Sequence, residues 1–133
     1  RNGPGRQDFG SPVYFVMTPT GTGWGSVPLV VLTDPNTASA AEWLALGLSY
    51  RAGATIVGAR TMGIFSSRGD YLLPNGWQFS CSSDLMADAE GRCLETLGVP
   101  PDLEVRNTAA ANRSGRDLAL DAALTLLGGV PMP

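Results

Sequence analysis

One stretch restricts the possible folds of this chain more than any other. Pro28-Leu29-Val30-Val31-Leu32-Thr33 is a continuous apolar run with β-branched members, ended by Asp34-Pro35-Asn36. An unbroken run of this kind reads as a strand covered on both faces. From Ala38 to about Tyr50 the spacing turns helical, with Ala41, Leu44, Ala45 and Leu48 on one stripe and Trp43 and Leu46 adding apolar surface. Gly53 supplies a stop signal, and Ala54-Thr55-Ile56-Val57-Gly58 resumes as a short strand. Strand, helix and strand in that order predict a βαβ unit with parallel pairing and a right-handed crossover.

The flanking segments add smaller elements to this unit. Pro12 to Met17 reads as a short strand, and Thr18-Pro19-Thr20-Gly21-Thr22-Gly23 as a flexible surface loop. Tyr71-Leu72-Leu73 and Trp77-Gln78-Phe79-Ser80-Cys81 flank Pro74-Asn75-Gly76, whose Asn-Gly pair signals a β-hairpin. Ala89-Glu90-Gly91 suggests a further turn, and Gly98-Val99-Pro100-Pro101-Asp102 a rigid connector into Leu103-Glu104-Val105. Asp117 to Leu127 is an amphipathic helix with Leu118, Ala122 and Leu124 at helical spacing, closed by Gly128-Gly129. The expected class is α/β, and 133 residues suffice for one core but not two.

Composition removes several functions. No apolar run approaches the roughly 20 residues of a membrane span. The formal net charge is −3 with scattered arginines, so the basic stripe that nucleic acid requires is missing. The chain contains no histidine and no lysine, and every basic side chain is an arginine. Arginine stays protonated and cannot accept a proton, which leaves carboxylates as the conventional bases. A catalytic role would therefore need groups from elsewhere. The polar, turn-forming start Arg1-Asn2-Gly3-Pro4-Gly5-Arg6 has no apolar signal region, so the chain is expected to begin mid-protein. Cys81 and Cys93 leave two readings open, a disulfide suited to an oxidising compartment or two free thiols. Two cysteines without histidine supply too few ligands for zinc unless carboxylates or another chain complete the set. Asp84, Asp88 and Glu90 do not follow EF-hand spacing, so no cofactor or metal is expected. Trp24, Trp43 and Trp77 fall on different elements and suit packing.

Chemistry is concentrated in Thr37-Ala38-Ser39-Ala40-Ala41-Glu42, where a strand gives way to a helix. Free N–H groups and the positive end of the helix dipole would favour an oxyanion beside Ser39, and the small alanines would admit a substrate carbonyl. The same residues satisfy the S-x-x-E capping box, in which Ser39 and Glu42 only close the helix start. Spacing alone favours the capping role.

The segment 28–34 followed by 37–42 resembles the nucleophile region of C-terminal-processing (tail-specific) serine peptidases, the family that includes the tricorn core. Further segments follow in the family's order. Arg51 to Gly58 resembles the strand after the nucleophile helix, and Thr61-Met62-Gly63 its T-x-G turn. Leu73-Pro74-Asn75-Gly76 resembles the L-P-x-G hairpin, and the run from Leu94 to Asp102 the closing E-x-x-G-V-x-P-D element. The resemblance covers roughly residues 28–105 and implies a ClpP/crotonase-like core, here a partial domain forming the C-terminal part of the catalytic core.

By this resemblance Ser39 is the nucleophile and the N–H of Ala40 is half of the oxyanion hole. Many members carry a lysine base just after the T-x-G turn, where this chain has Ile64, so a Ser-Lys dyad is excluded. The tricorn-like branch uses an upstream histidine oriented by a second hydroxyl and a downstream glutamate; Glu95, in the closing motif, would help to set such a base or else is an exposed strand or loop carboxylate. Thr61 and Gly63 either shape the site or simply form a turn, and Asp102 reads as a turn former. Implied partners are a peptide or unfolded protein substrate and an upstream segment of the parent protein. Family habit and the cysteine pair suggest a periplasmic or secreted location, with a cytoplasmic one left open. A ligand-binding module is the rival, since retinoid-carrying repeats of the interphotoreceptor protein resemble the same family. A crotonase-like acyl-CoA enzyme would not need the Ser39 motif.

Overall fold

The computed structural model describes residues 9–16, 18, 20, 21, 23, 25, 27–51 and 53–129. Its elements are β1 (Leu29–Thr33), α1 (Ala40–Ser49), β2 (Ala54–Gly58), β3 (Arg68–Leu72), β4 (Gln78–Ser82), β5 (Leu103–Glu104), α2 (Ala109–Arg113) and α3 (Leu118–Leu126). β1 and β2 pair in parallel, from Leu29 opposite Ala54 to Thr33 opposite Gly58. β5 joins the other edge of β2, again in parallel, with Val57 opposite Leu103. The expected α/β class and its βαβ unit are therefore present, and a second sheet consists of the antiparallel pair β3–β4.

The strand order β1-β2-β5 makes β2 the central strand. Ile56 and Val57 on β2 are 2 % and 0 % exposed, whereas Leu32 on β1 is 43 % exposed. Cover on both faces, expected for the 28–33 run, thus belongs to β2, the middle strand among the described residues. On one face Leu46, Ile56, Phe65 and Val99 form the core, with Val31, Trp43, Met86 and Leu94 packed against it. Neighbours along a strand point to opposite faces. Val57 therefore faces the other side, where α3 contacts β1 and β2 and buries Ala119 and Ala123. The chain is layered as helix, sheet and helix.

Helix α1 is rotated from its expected stripe. Glu42, Ala45 and Leu46 are buried, while Leu44 is exposed. The reason is polar: the Glu42 carboxylate is drawn inward by donors from another segment, and it fixes which side of the helix meets the sheet. The helix also starts at Ala40 rather than Ala38, since Ser39 does not have helical backbone angles. At the other end Tyr50 is the C-cap, and Gly53, at φ 76°, reverses the chain into β2.

Where β2 ends, Gly58 takes φ 132° beside Thr33. Ala59 N–H donates to the Thr33 carbonyl at 2.9 Å, and the Thr33 hydroxyl donates to the Ala59 carbonyl at 2.8 Å. A Cβ on Gly58 would be driven into the Thr33 carbonyl oxygen. Gly58→Ala is expected to destabilise the fold by roughly 2–3 kcal/mol through strain and backbone displacement. A urea melt would measure it, and a loss below about 0.5 kcal/mol, the scale of ordinary surface changes, would contradict the close approach.

In the hairpin, Pro74 and Asn75 hold the centre of the turn, Gly76 N–H donates to the Leu73 carbonyl at 2.9 Å, and Gly76 has φ 85°. This is a three-residue loop in which the left-handed glycine follows the turn. Tyr71 and Phe79 stack across the strands at 5.0 Å. Trp77 is 73 % exposed, so packing does not account for it, whereas Trp43 meets Phe65 edge-on at 5.1 Å. Trp24 lies outside the described residues.

The ends of the chain differ further from expectation. Residues 12–16 form no strand, with Val13, Tyr14, Phe15 and Val16 all more than three-quarters exposed. A strand needs a neighbour to satisfy its backbone, and none pairs with this segment among the described residues; Met17 lies outside them. Helix α2 was not foreseen, because five residues with no buried side chain carry no periodic signal. Helix α3 buries Ala119 and Ala123 rather than centring on Leu118, Ala122 and Leu124, since small residues let the helix approach the sheet closely. Its cap is Asp117, whose carboxylate accepts from Leu120 N–H at 3.0 Å; that bond and the Asn107 amide hold the Asp117 carboxyl below the usual range. Both cysteines are free thiols, Cys81 exposed on β4 and Cys93 half-buried.

Candidate active site

The turn between β1 and α1 is built from the backbone outward. Asp34 Oδ1 accepts from Asn36 N–H at 2.8 Å, and Thr37 Oγ1 accepts from Asp34 N–H at 3.0 Å, closing the turn that ends β1. Ser39 then adopts φ 55° and ψ −122°, a conformation that a residue with a Cβ reaches only under strain. Its neighbours pin the peptide groups on both sides. Ser39 N–H donates to the Ile64 carbonyl at 3.0 Å and to Glu42 Oε2 at 3.1 Å. The Ser39 carbonyl accepts from Glu42 N–H at 2.9 Å and Trp43 N–H at 3.2 Å. Ser39 and Ala40 are exposed. The N–H of Ala40, first in α1, is one of the donors that a helix start leaves without an intrahelical acceptor.

Glu42 does far more than cap a helix. It is fully buried. Its Oε1 accepts from the Thr61 hydroxyl at 2.5 Å and Gly63 N–H at 2.7 Å, and its Oε2 accepts from Ile64 N–H at 2.7 Å as well as from Ser39. The carboxylate thus fastens the segment 61–64 to the Ser39 turn. Met62 N–H adds a bond to the Thr37 carbonyl at 2.9 Å, and Thr61 Oγ1 accepts from Val99 N–H at 2.7 Å. Thr61 and Gly63 are structural parts of this strap.

A turn at 94–98 locks the strap from its other side. Thr96, with φ 64°, donates its N–H to the Gly63 carbonyl at 2.7 Å. A Cβ on Gly63 would come within 2.8–2.9 Å of the backbone at Thr96, Leu97 and Gly98. One on Gly98 would strike the Thr61 carbonyl. The glycines of the two sequence motifs are therefore required by the same close crossing. Glu95 continues the pattern: its Oε2 accepts from Phe65 N–H, Ser66 N–H and the Ser66 hydroxyl, each at 2.9 Å. Four consecutive backbone N–H groups, 63 to 66, end on two carboxylates.

Ser39, Ala40 and Glu95 are thus linked through one strap, which holds Ser39 by the Ile64 carbonyl and Glu95 by the next two residues. Ile64 itself is 47 % exposed, bonded through its backbone to the candidate nucleophile, and offers no proton acceptor. Asp102 lies elsewhere, taking Ile56 N–H on Oδ2 at 2.7 Å and tying the connector to β2. The acidic side chains of this loop are each taken up by protein partners: Asp84 accepts from Ser67 N–H, Asp88 binds Arg92, and Glu90 accepts from the Tyr50 hydroxyl. A cavity of about 600 Å³ opens beside the later part of α1, lined by Leu46, Tyr50, Ile56, Leu94 and Val99 among others, but by neither Ser39 nor Glu95. The part played by Ser66 was not foreseen, because nothing in its sequence surroundings announces a carboxylate 29 residues away.

Ser39 thus stands exposed, with a positive φ, where β1 gives way to α1 in an α/β core. Comparison with known proteins gives the class. The sequence profile of Peptidase family S41 matches residues 10–105, and the chain belongs to that family. Among solved structures, it resembles a candidate peptidase from Parabacteroides merdae with 31 % identity and a TM-score of 0.69, over 75 % of this chain and 31 % of that one. It resembles the photosystem II D1 C-terminal processing protease with 31 % identity and a TM-score of 0.52, over 61 % of this chain and 21 % of that one. The tricorn protease shares the fold at 20 % identity and a TM-score of 0.67, over 76 % of this chain and 10 % of that one. The chain therefore spans about a third or less of each solved relative. A search of curated proteins returned no match.

Proposed function

We propose that this chain is the nucleophile-bearing, C-terminal part of a serine endopeptidase core, with Ser39 as the nucleophile. The observation that carries the reading is the strained Ser39 backbone at the start of α1, held by hydrogen bonds on both flanking peptide groups. Strain kept at an exposed hydroxyl is what a site selected for reactivity would retain. In this reading Ser39 Oγ attacks a peptide carbonyl and its proton passes to the base. The tetrahedral oxyanion accepts from Ala40 N–H, the leaving amine takes the proton, and water hydrolyses the acyl-enzyme. Glu42 is occupied by four donors and serves as a clasp. The base is a histidine from a part of the protein outside this sequence, and Glu95 orients it. That assignment follows the tricorn-like branch and rests on the absence of lysine and histidine here.

The substrate class is peptide or unfolded protein, and the location is extracytoplasmic by family habit; free thiols at Cys81 and Cys93 lend that location no support. Among the described residues no helix is long and apolar enough to cross a membrane. The test is covalent labelling of the folded intact protein with a fluorophosphonate, which phosphonylates an activated serine with loss of fluoride. Peptide mapping is expected to place the adduct on Ser39. A folded protein that takes no label there would favour the second reading, a ligand-binding module of the same fold, to which the lack of any lysine or histidine also points.

A further inference from the structure

Glu95 loads its two oxygens unequally. Oε2 accepts from Phe65 N–H, Ser66 N–H and the Ser66 hydroxyl, whereas no residue among those described donates to Oε1. A carboxylate oxygen has about two lone-pair sites, so three donors saturate Oε2 and fix how the group is turned. Two of those donors are backbone N–H groups that any non-proline residue would bring. The third exists only because residue 66 is a serine. Ser66 is half-buried and sits two residues after Ile64, whose carbonyl accepts Ser39 N–H.

We infer that Ser66 is a positioning residue for the proposed hydrolysis: its hydroxyl holds the Glu95 carboxylate in one orientation and leaves Oε1 as the single oxygen available to the general base. The inference rests on the peptidase reading and deepens it by adding a residue to the machinery. Removing the hydroxyl leaves two N–H donors on Oε2, so the strap stays attached while the carboxylate gains freedom to turn. Misorientation of the base acts on the chemical step rather than on substrate binding.

The experiment is steady-state peptide hydrolysis by the intact protein and by Ser66→Ala, Ser66→Thr and Ser39→Ala, with a thermal melt of each. Ser66→Ala is expected to lower kcat on the order of 10-fold with KM nearly unchanged. Ser66→Thr, which keeps the hydroxyl, is expected to restore most of that loss. A folded Ser66→Ala with wild-type kcat, or one that alters KM alone, would overturn the inference while inactive Ser39→Ala upheld the peptidase reading. Hydrolysis that survives in Ser39→Ala would instead remove the reading itself, and this inference with it.

Discussion

Ser39→Ala in the intact protein is expected to reduce peptide hydrolysis by on the order of 10⁵–10⁶-fold, the scale on which a serine nucleophile fails when its oxygen is removed. The change should leave the fold almost untouched. Ser39 N–H and the Ser39 carbonyl carry the bonds to Ile64, Glu42 and Trp43, and alanine keeps both. The strained φ of 55° is as unfavourable for alanine as for serine, so unfolding free energy should shift by less than about 1 kcal/mol. Activity and stability therefore separate at this position. A Ser39→Ala protein that melts like the parent yet cleaves like it would remove Ser39 from the chemistry. One that loses activity only because it unfolds would show that the hydroxyl is structural.

Glu42→Ala is expected to behave in the opposite way and to fail mainly in stability. The substitution strands Gly63 N–H, Ile64 N–H and the Thr61 hydroxyl around a site that is fully buried. Each unsatisfied buried donor costs about 1–3 kcal/mol, and three partly relaxed ones roughly 3–5 kcal/mol in all. At the size of this chain that corresponds to a fall in Tm of roughly 10–15 °C. Glu42→Gln keeps the shape but turns an NH₂ group toward N–H donors on one side, so it should recover only part of the loss. A differential scanning melt of the three proteins decides the matter. A fall of less than about 3 °C in Glu42→Ala would mean that the strap 61–64 does not depend on the carboxylate. Because the same strap carries the bond from Ile64 to Ser39, activity should decline with it, an effect that a simple capping residue would not produce.

The two variants separate what was legible in the sequence from what was not. The parallel βαβ unit, the hairpin at Pro74-Asn75-Gly76 and the closing helix with its Gly128 stop follow from apolar periodicity and turn chemistry, both of which act over a few residues. The S-x-x-E spacing that joins Ser39 to Glu42 at the start of α1 was legible for the same reason, although the helix was expected from Ala38 and begins at Ala40. The roles were harder to read. Ser39 and Glu42 spell a capping box, and local spacing cannot distinguish a helix cap from a carboxylate that also grips Thr61, Gly63 and Ile64 some twenty residues on.

Resemblance to a family brought Glu95 and the T-x-G turn into view, but not the reason for their glycines. That reason is the crossing of two backbones at Gly63 and Gly98, too close for a Cβ on either. Which strand lies at the centre was likewise decided by pairing. Among the described residues the longer apolar run, 28–33, lies at the edge and the shorter, 54–58, in the middle, because β5 pairs with β2 rather than β1. By itself the sequence determined where β1, α1, β2, the hairpin and α3 lie, since those depend on neighbours along the chain. Only the tertiary structure decided which side of α1 is buried and which donors saturate Glu42 and Glu95. Those outcomes are set by hydrogen bonds between residues distant in sequence, whose energy exists only once the chain has brought them together.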